Sequence, residues 1–119
     1  MEPATYNLTV YRDRDFSQTF YLKNLGEVMD LTGYTGKAEI RENQDAAELL
    51  AAFQVTIDPL LGSITISLTD TQTILIPVGA AFWDLVLTDP HGLRQNYIEG
   101  QVQVMGTVTR DDAGGMEMA

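Results

Sequence analysis

FWDLVLTDPHG, from Phe82 to Gly92, decides the fold class. Apolar and β-branched residues interrupted only by Asp84 run from Phe82 to Thr88 and stop at Asp89-Pro90-His91-Gly92, a strand entering a tight reversal. Phe82, Trp83, Leu85, Val86 and Leu87 offer apolar atoms to both faces, so the register of this strand stays open. Beyond the turn, Leu93 to Val108 reads as one long strand or two and contains IEGQVQV at Ile98 to Val104, with Gly100 and Gly106 as expected bulge points.

The same alternation extends upstream. Ile64, Ile66 and Leu68 alternate with polar residues, as do Phe53, Val55 and Ile57, and Asp58-Pro59-Leu60-Leu61-Gly62 between them predicts a hairpin. Asp70 is placed to cap a helical turn over Thr71 to Leu75, ended by Pro77 and Gly79. Asn43 to Leu50 is polar and then alanine-rich, which predicts a short helix or ordered loop.

In the first half, Tyr6 to Tyr11 and Phe16 to Lys23 alternate, separated by Arg12-Asp13-Arg14-Asp15, and Asn24-Leu25-Gly26 predicts a hairpin connection. DLTGYT, Asp30 to Thr35, reads as a corner between sheets. Asp30 and Thr32 can bond nearby backbone amides, Gly33 permits a left-handed conformation, and Leu31 and Tyr34 fall into the core. Thr35 to Glu42 follows as a strand with Ala38 and Ile40 on one face.

Seven to nine short strands with a turn every eight to twelve residues predict an all-β chain folded as a single antiparallel β-sandwich, immunoglobulin-like or jelly-roll-like, with one or two short helical turns. A small barrel is the rival. The expected organisation is an N-terminal arm over 1–5, a sandwich domain over 6–110 and a flexible tail over 111–119.

Composition narrows the functional classes. The chain has 119 residues, 45% hydrophobic, enough for one modest core. It has no cysteine, so neither a disulfide nor a thiolate enters the argument. Seventeen acidic residues against seven basic ones give a net charge of −10, which repels phosphate backbones and argues against nucleic acid as a partner. No stretch approaches the ~20 apolar residues that span a bilayer, and the start lacks a basic and then apolar leader. The expectation is a soluble, unprocessed protein without a membrane partner.

Residues for chemistry are sparse. His91 is the sole histidine and sits in a turn; Ser17, Ser63 and Ser67 fall in strands without a nucleophile elbow. Asp13, Asp15 and Asp30 do not form a calcium loop, and no spacing places Asp84 and Glu99 at a glycosidase separation. The expectation is a protein that is not an enzyme, with no cofactor, no metal and no small-molecule substrate. Five tyrosines and Trp83 leave two uses for aromatic surface, subunit contact or a platform for sugar, the latter favoured if Tyr97 and Trp83 lie exposed and coplanar.

DLTGYT, the charged strand Lys37 to Glu42, ITISLTDTQTILIPVG, FWDLVLTDPHG and IEGQVQV, in that order, resemble the small β-sandwich structural proteins of tailed bacteriophages. They are similar in particular to the N-terminal domain of siphophage upper baseplate proteins, over Tyr6 to Arg110. The resemblance implies a non-enzymatic virion component, made in the bacterial cytoplasm and assembled in multiple copies in a symmetric array with other virion proteins. It also implies structural roles for Asp30, Thr32, Gly33 and Tyr34 at the corner, and for Trp83, Asp84, Asp89, Pro90 and Gly92 in the central hairpin. Upper baseplate proteins continue into further domains, so a chain ending after a short tail is expected to be a tail, neck or baseplate adaptor, or a capsid decoration. Candidate interface residues are Tyr11, Arg12, Arg14 and Tyr97, with Met116 and Met118 in the tail. The competing expectation is a carbohydrate-binding or adhesion module on the same architecture.

Overall fold

Period-two alternation sorts the strands into two facing sheets. The structure, a computed structural model, describes residues 3–109. In chain order the elements are β1 (Ala4–Thr5), β2 (Leu8–Tyr11), β3 (Phe16–Tyr21), β4 (Lys23–Asn24), β5 (Glu27–Val28), β6 (Thr35–Arg41) and β7 (Leu49–Ala52). They continue with β8 (Gln54–Asp58), β9 (Ser63–Leu68), α1 (Asp70–Thr73), β10 (Gly79–Thr88) and β11 (Arg94–Met105). The larger sheet runs β1-β11-β10-β6-β7, with β2 also on β11; the smaller runs β3-β9-β8; β4 and β5 form a separate finger. The class is all-β and the architecture a β-sandwich. Set against each other, β3-β9-β8 and β7-β6-β10-β11 follow the immunoglobulin pairing of strands B-E-D with C′-C-F-G, which resolves the choice between immunoglobulin-like and jelly-roll-like.

The open register of β10 is settled by Trp83. Ala81, Trp83, Leu85 and Leu87 face the core, and Phe82, Asp84 and Val86 face outward. Trp83 is only 3% exposed. It stacks on Phe20 of β3, with ring centroids 5.8 Å apart, and meets Phe53 edge-on at 6.0 Å, so one side chain of the larger sheet is gripped by two aromatic rings beyond its own strand. Ile40, Ile64, Ile66, Leu85, Val102 and Val104 complete the dry layer around it. Such packing does mechanically what an inter-sheet disulfide does in many immunoglobulin domains.

The N-terminal segment departs from the expected plan in two ways. Ala4 and Thr5, expected in a free arm, instead pair with Ile98 and Glu99, and β1 and β2 both run parallel to β11, so the sandwich is antiparallel except along this edge. The strand is broken at Tyr6-Asn7, where the Asn7 side-chain oxygen takes over the ladder bond from the Gln101 amide at 3.0 Å. Gly100 is not a bulge: it lies opposite Trp83, and a Cβ there would collide with the Tyr6 carbonyl. The bulge sits at Tyr97, the extra residue between Ile98, paired with Leu85, and Asn96, paired with Val86.

Two local expectations are corrected elsewhere. Of the two alternatives expected there, residues 43–48 take the ordered loop and not the helix, held by Arg41 donating to the Ala47 carbonyl at 2.7 Å, while Leu49–Ala52 pairs with β6 as an unexpected strand, β7. The open edge of β6 and the burial offered to Leu50 and Ala51 override the helix propensity of an Ala-Leu stretch. The helical turn is present, but its N-cap is Thr69, whose amide donates to the Gln72 side chain at 2.9 Å, while Asp70 is the first helical residue.

Gly100→Ala is expected to lower unfolding stability by about 1–3 kcal/mol through overpacking against Tyr6. Gly106→Ala, whose added Cβ would meet only a Val78 methyl at 3.6 Å, is expected to be near neutral. Urea titrations of the two variants side by side check the contrast; equal midpoints would contradict it.

Candidate functional site

Outward-facing residues of β6, β10 and β11 line a groove of about 700 Å3, walled on one side by Thr5 and Asn7 and on the other by Asn43 and Gln44. Its floor holds an unusual row. Register places Asp84 directly opposite Glu39 on β6 and directly opposite Glu99 on β11, so three carboxylates cross three adjacent strands in line. Like charges at directly opposed positions repel, and the sheet answers on one side only. Arg41 donates to Glu39 at 3.0 Å, and the Lys37 ammonium lies 3.5 Å from the other Glu39 oxygen.

The titration of the row follows from this asymmetry. Burial pushes the Asp84 carboxyl above the usual aspartate range, the charges of Glu39 and Glu99 push it further, and Arg41 opposes them. Burial also acts upward on Glu39, but the hydrogen bond from Arg41 and the charges of Lys37 and Arg41 outweigh it and hold that carboxyl below its usual value. The groove therefore pairs a settled carboxylate with one that resists ionisation. Planar amides from Asn7, Asn43, Asn96 and Gln101 surround them. Among the described residues no group of three His, Cys, Asp or Glu side chains is arranged to hold a metal ion, and no helix is long and apolar enough to cross a membrane.

Corner residues gather at one end of the sandwich. The Asp30 carboxylate accepts from the Thr32 amide at 2.9 Å and the Thr32 hydroxyl at 2.6 Å, which lowers its pKa. Gly33, at φ +82°, lies against the Pro90 ring, and Leu31 donates from its amide to the Pro59 carbonyl. Asp89 closes the β10–β11 turn by accepting from the His91 and Leu93 amides, both at 2.9 Å, with Gly92 at φ +88°. Tyr34 packs on the core beside Tyr97, whose phenol is pushed above its usual range by burial and then by Tyr34.

Candidate contact residues are placed in different settings. Arg12 donates to the Ile74 carbonyl at 2.6 Å, and the Arg14 backbone exchanges hydrogen bonds with the Thr73 hydroxyl at 3.1 and 2.8 Å. The Arg14 side chain donates to the Thr109 carbonyl at 2.8 Å, and the Asp15 carboxylate accepts from the first amide of α1. The Arg12-to-Asp15 run is thus a clasp binding α1 to the N-terminal strand. Tyr11 is exposed beside Met105, its register partner. Tyr97 is half-buried and Trp83 is buried with its indole bonded to Tyr6, so the two do not form an exposed coplanar pair. Met116 and Met118 lie outside the described residues. Glu39, Arg41 and Asn7 went unnoticed as groove residues because only strand register brings them to Asp84.

The chain belongs to the LtfC-like β-sandwich domain family. The match covers residues 2–105, from the first strand through the end of β11. No match is found among curated proteins. Membership supports a phage-related β-sandwich domain and does not reach the upper baseplate proteins in particular. In this LtfC-like domain the carboxylate row is a feature of the exposed sheet face, separate from the packing that holds the two sheets.

Asp84→Asn is expected to raise stability at neutral pH by about 0.5 kcal/mol, the size of a screened cross-strand repulsion. A raised carboxyl pKa means that the folded state holds the proton more tightly than the unfolded chain. The penalty is full above that raised value and fades as pH falls through it toward the ordinary 3.8. The advantage of the Asn variant should therefore shrink on acidification. Glu39 works in the opposite sense: its contribution is present above the ordinary 4.5 and lost as pH falls through its lowered value. Denaturant midpoints of both proteins between neutral pH and pH ~4 measure the difference; an advantage independent of pH would exclude the repulsion as its source.

Proposed function

We propose that this LtfC-like domain is a non-enzymatic structural component of a tailed-phage virion, present in multiple copies and acting through contacts with copies of itself and other virion proteins. Family membership supports the phage setting. The observation that carries the assembly role is the apolar surface at both ends of the sandwich. Tyr21, Leu25, Val28, Leu60 and Leu61 are exposed at the corner end, and Tyr11, Leu75, Val78 and Met105 at the α1 end, although the core between them is closed. Large apolar side chains left exposed at the two ends of a closed sandwich are the surface it offers for contact with other proteins.

Within that role the finer reading is an adaptor of the tail, neck or baseplate, or a capsid decoration protein. Mass spectrometry and cryo-electron microscopy of purified particles are expected to find the chain at fixed stoichiometry in a symmetric layer. Its absence from particles of a phage that expresses it would refute the role.

A second reading is favoured by the groove alone. Its amides and carboxylates beside half-buried Phe82 have the donor and acceptor character that a glycan requires, which keeps a carbohydrate-binding or adhesion module in play. A glycan array probed with the wild-type domain and with Asp84→Asn tests it. Binding that the substitution weakens at least tenfold would favour this reading; no binding to any glycan would remove it.

A further inference from the structure

Leu25 is placed twice against its chemistry. It occupies the first turn position of the β4–β5 finger at φ 53°, followed by Gly26 at φ 83°, a two-residue connection in which Asn-Gly is the ordinary choice and leucine is strained. Its side chain is 98% exposed. Neither backbone preference nor burial within this chain accounts for a leucine there, and backbone strain of this kind clusters at functional positions.

The surroundings of the finger supply a matching receptor. At its root lies a cavity of about 360 Å3 lined by Phe20, Tyr21, Leu22, Met29, Tyr97 and Ile98, together with Ala4 and Lys23, whose methylene stem can cover apolar surface while its ammonium stays in water. That volume accommodates a leucine side chain with room for neighbouring atoms. Tyr21, 68% exposed, belongs to the wall of the cavity and also to the apolar collar formed with Val28, Leu60 and Leu61. Gly62 ties collar to finger: its carbonyl accepts from the Leu22 amide at 2.8 Å, and a Cβ on it would lie 3.0 Å from a Val28 methyl.

We propose that the β4–β5 finger and the cavity at its root form a reciprocal self-association surface, Leu25 of each copy entering the cavity of a second copy. A second copy is the occupant that the arrangement fits, because projection and receptor lie side by side. A two-fold axis between them satisfies both contacts at once, the defining property of an isologous interface. Tyr21, Leu25, Val28, Leu60 and Leu61 together expose on the order of 600 Å2, so covering all five in both copies would bury about 1,200 Å2, the lower end of specific interfaces.

This proposal rests on the multi-copy reading above and names its contact. Sedimentation equilibrium of the full chain at high micromolar concentration is expected to show a reversible dimer. Leu25→Asn is the decisive variant, because Asn suits the left-handed turn position: the domain should melt at the same or a higher temperature while association weakens on the order of a hundredfold. Ala4→Trp, which adds bulk to the cavity lining, should weaken association likewise. A monomeric wild-type chain, or a dimer unchanged in Leu25→Asn, overturns the proposal. Virions containing the Leu25→Asn protein at wild-type copy number would overturn it and leave the assembly role standing. A dimer lost in that variant, in a protein absent from virions, would uphold the contact and remove the role.

Discussion

A buried indole must give its N–H to an acceptor, and the path of the N-terminal strand follows from how Trp83 meets that demand. The acceptor is the Tyr6 carbonyl at 2.8 Å. For that carbonyl to turn inward, β1 and β2 cannot be one continuous strand, since a regular ladder would direct it along the sheet. The chain breaks at Tyr6-Asn7, the Asn7 side chain satisfies the Gln101 amide left over, and Gly100 clears the space that any Cβ would occupy. Three residues distant in sequence are thus set by one hydrogen bond.

Packing around the same side chain joins the sheets. Phe20 lies nearly parallel to the indole, with an interplanar angle of 19°, Phe53 approaches edge-on, and Tyr6 closes the cluster edge-on against Phe20 at 5.0 Å. A chain without cysteine has no covalent tie between layers, so this cluster and the aliphatic residues around it carry the load. Fixing Trp83 inward also fixes Asp84 outward. The carboxylate row is therefore a by-product of core register: once β10 is locked by its tryptophan, Asp84 must stand between Glu39 and Glu99.

Much of the fold was legible because alternation and turn chemistry are local. Ile64, Ile66 and Leu68 announce their buried face, and Asp89 to Gly92 and Asp30 to Gly33 carry side-chain bonds that close within a few residues. Parts that were not legible depend on distant partners. Leu49–Ala52 is a strand only because β6 offers an edge; Gly100 looks like a bulge until Tyr6 is laid beside it; Phe82 and Trp83 can exchange faces until Phe20 and Phe53 are in place. Arg12 and Arg14 read as contact residues because nothing in the local sequence reveals that α1, some sixty residues away, receives them. The groove was invisible for the same reason, since register between three strands is what assembles it.

Electrostatics and exposure then divide the surface into regions with different uses. The face of β6, β10 and β11 concentrates acid, so in a chain of net charge −10 it is poorly suited to meet its own copy face to face. The finger end is different. There Tyr21, Leu25, Val28, Leu60 and Leu61 are exposed alongside Asn24 and the oppositely charged Lys23 and Glu27, and physiological salt screens long-range repulsion within about 8 Å. The groove and the finger-end cavity draw on the same two strands: Thr5, Asn96 and Glu99 line the first, and Ala4, Tyr97 and Ile98 the second. In the proposed dimer the carboxylate row is left to a different partner, one that brings positive charge or hydrogen-bond donors to Asp84 and Glu99, since Arg41 and Lys37 are engaged with Glu39.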